Sequence, residues 1–443
     1  MNHDKSGKWI HLNPSQLLVL IFLSAIILGT ILLKLPIATT RPISWIDALF
    51  IATSAMTVTG LATVDPGTTF TTFGQFIIAF LIQIGGLGIM SFAVLIIMVL
   101  GKKIGMKERV LIQHALNQTS LGGVIRLVKY LFIFSFLIEG IAMVILSFKW
   151  VPQFGWGKGL FYSFFHSISA FNNAGFALWK DNLMQFVGDP VVILVISSLF
   201  ILGGIGFPVL VDIWKKKKFK KFSLHTKLMI IGTIAVNAAA MVFIFLIEFD
   251  NTKTLASLTW GEKILASYFQ AVSPRTAGFN SIDIGAMEEP SLFLMVLLMF
   301  IGAGSASTGG GIKLSTAIVI ILSVIAFLRG RTELNVLKRS IGIETVIKAL
   351  AISMSGIVFI ITAVFLLNLT ERQPFLNILF EVVSAFGTTG LSTGITGSLT
   401  VLGKMVIIFM MFLGKVGPLT LLFTLATKEQ QKIRYPSEDV LTG

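Results

Sequence analysis

Runs of apolar residues recur along the whole chain, and each has roughly the 20 residues that a helix needs to cross the hydrocarbon core of a bilayer. They fall at about 15–35, 76–100, 127–148, 190–213, 228–248, 291–328, 346–369 and 399–426. Of the 443 residues, 55% are hydrophobic and only 13% are charged, against about 25% charged in a soluble domain. A water-soluble fold is excluded. The first run, near 17–33, is long enough to span and has no small-residue cleavage site after it, so it reads as a helix rather than a cleavable leader. With no cysteine, disulfides, thiol catalysis and Cys-based metal sites drop out. The histidines are scattered without ligand spacing.

The net charge of +14 invites a nucleic-acid reading, which its distribution rejects. The basic residues cluster in short loops after alternate apolar runs: Lys102, Lys103, Lys107 and Arg109; Lys215, Lys216, Lys217, Lys218, Lys220 and Lys221; Arg329, Arg331, Lys338 and Arg339; Lys428, Lys432 and Arg434. This is the positive-inside pattern, which predicts cytoplasmic termini and linkers, and contact with the lipid bilayer rather than with nucleic acid.

Between the paired runs lie four similar segments: ALFIATSAMTVTGLATVD (48–65), SFFHSISAFNNAGFAL (163–178), ASYFQAVSPRTAGFNSID (266–283) and ILFEVVSAFGTTGLSTG (378–394). They align on Gly60, Gly175, Gly278 and Gly390. Ten residues earlier each has an aromatic (Phe50, Phe165, Tyr268, Phe380), and a large apolar residue follows each glycine. Trp45, Trp156 and Trp260 open three of the segments, and the fourth begins at Pro374. The expected fold is therefore an all-α integral membrane protein of four tandem helix–pore loop–helix units around a central pore, with eight transmembrane helices and four pore half-helices. Unit 1 would cover 1–110, unit 2 111–220, unit 3 221–340, and unit 4 341–443 with a cytoplasmic C-terminus.

Non-helical backbone at membrane depth survives only when buried in protein or lining a wet cavity. Parallel loops around an axis would stack carbonyl rings able to replace the hydration shell of potassium, and half-helices with their C-terminal ends toward the axis would add favourable dipoles. The candidate ion-binding residues are Thr57, Val58, Thr59 and Gly60; Asn172, Asn173, Ala174 and Gly175; Arg275, Thr276, Ala277 and Gly278; and Gly387, Thr388, Thr389 and Gly390. Potassium is expected at Gly60, Gly175, Gly278 and Gly390. One glycine per loop implies a short filter and a weaker preference for potassium over sodium than a longer glycine motif gives. The Arg275 side chain is expected to brace neighbouring loops rather than meet the ion. Glu139 and Glu381 are further intramembrane charges.

One run cannot form a continuous helix cheaply. Between Phe300 and Ile318 it carries Gly302, Gly304, Ser305, Ser307, Thr308, Gly309, Gly310, Gly311 and Lys313. The break, at about 302–316, is expected to cross the axis as a gate, with Lys313 capping it or reaching from it. Lys415 sits mid-span, where a charge is functional by default; it is expected to bond the glycine-rich carbonyls and repel cations. The GGLG and GGIG runs, at 85–88 and 203–206, are expected to serve close helix packing.

The loops TVTGL, NNAGF, RTAGF and GTTGL, together with FIGAGSASTGGGIKLST, resemble the Ktr/Trk/HKT superfamily of potassium transporters, most nearly its KtrB-type or KtrD-type membrane subunits. The resemblance runs essentially the full length, to the terminal IRYPSEDVLTG. It implies filter glycines at 60, 175, 278 and 390, potassium rather than sodium as substrate, and an intramembrane gating loop at 302–316. It also implies a homodimer in a bacterial plasma membrane with a cytosolic RCK-type ring, KtrA-like or KtrC-like, that binds ATP or ADP. Sodium stimulation and the absence of a covalently bound cofactor or enzymatic activity belong to the same implication. Members usually carry arginine where Lys415 stands, so closure is expected to be looser here. The alternative is a sodium-coupled secondary cation transporter with alternating access, although such folds usually carry inverted rather than parallel repeats.

Overall fold

The computed structural model describes residues 14–88, 91, 124–331, 333–425 and 438. The basic clusters near 102–109 and 428–434, and most of the C-terminal segment, lie outside the described residues.

Among the described residues, four helices are each long and apolar enough to cross a membrane: Pro14–Lys34, Val124–Phe154, Leu224–Glu248 and Ile343–Thr370. Each presents large apolar side chains outward, among them Leu28, Phe136, Phe243 and Ile361, all more than half exposed. Such a surface would aggregate in water and matches a hydrocarbon solvent. Polar residues are instead concentrated inside, where Thr57, Thr59, Ser169, Asn172, Asn173, Thr276, Ser384 and Thr389 are all fully buried.

Each long helix leads into a short one: Trp45–Thr57, Trp156–Phe171, Trp260–Val272 and Phe375–Gly387. At 13 to 16 residues and about 1.5 Å per residue, none reaches across a bilayer. Their starts are set locally. Ser44 accepts from the Asp47 N–H, Thr259 and Glu262 form a reciprocal capping box, and Pro374 occupies the N-cap of the fourth. Trp45, Trp156, Trp260 and Phe375 stand at the exposed first turns, the position that interfacial aromatics favour. The opposite ends are buried.

The helices that follow are Thr72–Leu87, Pro190–Ile205, Glu289–Phe300 and Val401–Val416. Here the structure departs from eight continuous spans. Not one but all four of these helices stop short, at Gly88, Gly206, Ile301 and Gly417. The three glycines have φ of 86°, 107° and 91°, a region that costs other residues steric strain. Pro208 and Pro418 follow two of them and disfavour continuation. The next helix, Phe207–Lys216, leaves at 94° to its predecessor. The same runs also pack closely, as expected. A methyl group added at Gly85, Gly203 or Gly414 would strike the carbonyl of Met56, Phe171 or Phe386 at the end of a half-helix.

Packing is cyclic. Thr72–Leu87 touches the half-helix Trp156–Phe171, Pro190–Ile205 touches Trp260–Val272, and Glu289–Phe300 touches Phe375–Gly387. Val401–Val416 returns to Trp45–Thr57, where Lys404 Nζ lies 2.8 Å from Asp47 Oδ1. The described residues also carry one pair of short strands: Leu334–Val336 pairs antiparallel with Arg339–Ile341, turning through Leu337 and Lys338 at positive φ.

Candidate cation site and the loop that closes on it

After each half-helix the backbone takes the same course. The residue two before the glycine is left-handed: Val58 at 52°, Asn173 at 58°, Thr276 at 71° and Thr388 at 49°. The glycines follow at 95°, 68°, 75° and 93°. Left-handed backbone costs a non-glycine residue about 1–2 kcal/mol, so four such residues at one repeat position mark a conformation that the surroundings impose. A shared hydrogen bond imposes part of it. The N–H groups of Thr59, Ala174 and Thr389 donate to the carbonyls of Ser54, Ser169 and Ser384, five residues back, at 2.8–2.9 Å, and the Ala277 N–H donates to that of Ser273, four residues back, at 2.9 Å. The serine hydroxyls add a second tie. Those of Ser54 and Ser384 accept from the Gly60 and Gly390 N–H at 3.0 and 3.1 Å. Those of Ser169 and Ser273 donate to the carbonyls of Phe176 and Phe279.

The four loops meet in a closed cycle. A methyl group at Gly60 would strike the Ala174 carbonyl, one at Gly175 would lie 3.0 Å from that of Ala277, one at Gly278 would strike that of Thr389, and one at Gly390 would strike that of Thr59. Glycine is thus required twice, by φ and by the neighbouring backbone. The carbonyl oxygens of Thr59, Gly60, Ala174, Ala277, Gly278, Thr389 and Gly390 receive no hydrogen bond from the described residues. Oxygens left without donors at membrane depth are costly unless water or a cation meets them.

Residues 301–313 form an irregular loop against this cycle. On one side it joins the second broken helix. Gly304 N–H donates to the Gly204 carbonyl at 2.7 Å, Thr308 N–H to that of Gly203 at 3.3 Å, and Phe207 N–H to that of Ala306 at 3.0 Å. On the other it joins the fourth, where Gly311 N–H donates to the Gly414 carbonyl at 3.1 Å and Lys415 Nζ to the Thr308 carbonyl at 2.6 Å. Helices two and four are opposite members of the packing cycle, so the loop crosses between facing walls. Its upper side bonds the left-handed loop residues: Thr308 Oγ1 donates to Asn173 Oδ1 at 2.8 Å, and Gly310 N–H to Thr388 Oγ1 at 2.8 Å. A methyl group at Gly309 would strike Thr276 Oγ1. Ser307 donates to the Gly304 carbonyl at 2.7 Å, and Ser305 pairs with Ser315 at 2.8 Å. Gly302 N–H donates to the Ile312 carbonyl at 2.8 Å. Lys313, which precedes helix Leu314–Leu328, reaches back to the carbonyls of Gly309 at 2.6 Å and Gly310 at 3.2 Å.

Two of the intramembrane charges support loops from behind. Asn172 does not face its neighbours' carbonyls; its side-chain amide donates to Gln83 Oε1 at 2.7 Å and Glu139 Oε1 at 3.1 Å, and Gln83 also donates to Glu139. Glu381 accepts from Ser392 at 2.9 Å and from Thr396. Arg275 differs from expectation. Its guanidinium turns to Asn237 Oδ1 at 3.1 Å and Thr233 Oγ1 at 3.5 Å on the long helix Leu224–Glu248. Its Nε has no hydrogen-bond partner, and the residue lines a small cavity with Gly204 and Ala303. It braces its loop against a helix rather than against other loops, because burial in the bilayer sends a cation to the nearest polar acceptors.

A family model described as a cation transport protein, TrkH, matches residues 13–435. The chain belongs to this family. TrkH-family proteins are transporters rather than enzymes. The Ktr system potassium uptake protein B of Bacillus subtilis is 59% identical over the whole of both chains. The protein of the same description from Vibrio alginolyticus is 44% identical over 97% of this chain and 94% of its own. Among solved structures, the potassium transporter TrkH from Vibrio parahaemolyticus matches with a TM-score of 0.72 over 96% of this chain and 87% of its own, at 21% identity; that likeness bears on the fold.

Proposed function

We propose that this TrkH-family chain takes up potassium across a bacterial plasma membrane through one central pore. In this reading the helix, half-helix and broken helix make one unit, and four units surround the axis. The carbonyls around Gly60, Gly175, Gly278 and Gly390 form a selectivity filter that replaces the water shell of a dehydrated potassium ion. The observation that carries the reading is the closed cycle of four glycine backbones, in which the carbonyls of Gly60, Gly278 and Gly390 receive no hydrogen bond from the described residues.

Loop 301–313 then acts as the gate. It holds to facing walls, bonds two of the four filter loops and lies close against a third, and Lys415 places an ammonium against it. The names of the Bacillus and Vibrio relatives support assignment to a Ktr system; in this reading the chain is its membrane subunit and works as a homodimer. The exposed Lys215, Lys216, Lys217, Lys218, Lys220 and Lys221, placed on the cytoplasmic side with the termini, would meet anionic lipid or a cytosolic RCK-type ring. Nucleotide would bind to that ring, and sodium would act as a stimulator rather than as the permeant ion.

The test is cation flux into liposomes containing only this protein, with wild type and a variant lacking 304–311 compared. Potassium and rubidium flux well above sodium and lithium supports the reading. Equal flux of all four ions refutes the filter. No flux in either protein refutes the pore.

A further inference from the structure

The position nine residues before each filter glycine holds Ile51, His166, Phe269 or Glu381, and all four are fully buried. The repeat therefore places one side chain of each half-helix behind the strand that leaves the glycine. In the first and third it is apolar. In the second and fourth, which face each other across the packing cycle, it is polar and takes hydrogen bonds from the departing chain. His166 Nδ1 donates to the Tyr162 carbonyl at 2.8 Å, and Nε2 accepts from the Leu178 N–H at 3.2 Å, three residues past Gly175. Glu381 accepts from Ser392 Oγ, two residues past Gly390, and from Thr396 Oγ1. Ser392 Oγ also accepts from the Gly394 N–H at 2.9 Å, where φ is 97°, and lies 3.0 Å from Thr396 Oγ1.

We propose that Glu381 is a specificity-determining positioning residue, acting through Ser392 and Thr396 on the backbone that leaves Gly390. The inference rests on the filter reading above and adds a residue that does not itself touch the ion. A carboxylate buried in protein at membrane depth needs a reason to be there. Among the described residues its partners are the two hydroxyls, and both belong to the exit of the fourth strand. Their effect is to fix the path of residues 391–396 and hence the direction of the Gly390 carbonyl. The turn carrying Thr393 lies against Gly285 of the preceding repeat, with the Thr393 carbonyl 3.0 Å from where a Gly285 methyl would sit. The tether thus also holds the outer rim between neighbouring strands. Size selection between potassium and sodium depends on holding the carbonyls apart, so a slack exit strand lets the ring collapse on the smaller ion.

The experiment compares potassium-to-sodium flux ratios in liposomes for wild type, Glu381→Val, Glu381→Gln and the double variant Ser392→Ala/Thr396→Ala, each first shown to be monodisperse. Hydrogen bonds to charged groups and the tenfold-per-1.4 kcal/mol relation set the expected loss of ratio at roughly tenfold for Glu381→Val and for the double variant. Glu381→Gln, which keeps an acceptor and adds a donor to the same hydroxyls, should restore the ratio to near wild type. An unchanged ratio in the double variant overturns the proposal, as does a Gln variant as impaired as Val. If Glu381→Val does not assemble, the double variant and the Gln variant decide alone. A wild type without potassium preference defeats the filter reading itself, which is a separate failure.

Discussion

Replacing Lys415 by Met isolates the contribution of one ammonium to holding loop 301–313 in place. The side chain donates to the Thr308 carbonyl at 2.6 Å, and Met keeps its unbranched apolar stem. A hydrogen bond from a charged donor contributes about 1.5–3 kcal/mol. If the displaced loop does not make this bond, its loss shifts the balance between closed and open by roughly ten- to a hundredfold. The loop would still keep the bonds from Gly304 and Gly311 and the internal tie from Lys313, so release should be partial. The assay is potassium flux into liposomes without any partner protein. Lys415→Met should raise basal flux by about tenfold or more while leaving the potassium-to-sodium ratio near wild type, because Lys415 bonds the loop and not the filter. Lys415→Arg should lower basal flux, since a planar fork can reach two carbonyls where the ammonium reaches one. Flux at or below wild type in a well-assembled Met variant would refute the reasoning.

Three further outcomes follow from the geometry. Gly390→Ala places a methyl group on the Thr59 carbonyl at a φ of 93°; potassium selectivity should be lost, and a preserved flux ratio would count against the assignment. Thr388→Val removes the acceptor for the Gly310 N–H at 2.8 Å, leaving a buried donor at a cost of about 1–3 kcal/mol; basal flux should rise with it, and additivity with Lys415→Met in a double-mutant cycle would show that the two ties act independently. Asp47→Asn should lower the thermal midpoint by breaking the half-buried pair with Lys404, and the exchange Asp47→Lys with Lys404→Asp should recover part of it. Equal midpoints for all three proteins would mean that the contact closing the cycle contributes nothing.

Much of this arrangement can be read from residues alone, because it repeats. Gly60, Gly175, Gly278 and Gly390 stand out through their common register with Phe50, Phe165, Tyr268 and Phe380, and the break through its glycine density, although it is read at about 302–316 and the helix resumes already at Leu314. Lys415 is legible as a charge inside an apolar run. Other features carry no such signal. Val58, Asn173, Thr276 and Thr388 share a left-handed conformation without sharing a residue type, so only their distance from the glycine could have pointed to it. The breaks at Gly206 and Gly417 were signalled by the prolines that follow, yet glycine runs in apolar helices read first as packing sites, and here they do both. The direction of Arg275 depends on Asn237 and Thr233, about 40 residues upstream, whose polarity is unremarkable in sequence. The Asp47–Lys404 pair joins residues 357 apart, and no local pattern announces it. Glu381 was visible as a buried charge, but its role needed the positions of Ser392 and Thr396.

The central claim is that the four glycine loops together hold a dehydrated cation. The most direct measurement is anomalous diffraction from crystals of the protein grown with rubidium in place of potassium. The account predicts a peak on the axis of the cycle, at coordinating distance from the carbonyls of Gly60, Gly175, Gly278 and Gly390 together. Ordered rubidium elsewhere in the protein, with none between these four loops, would contradict it.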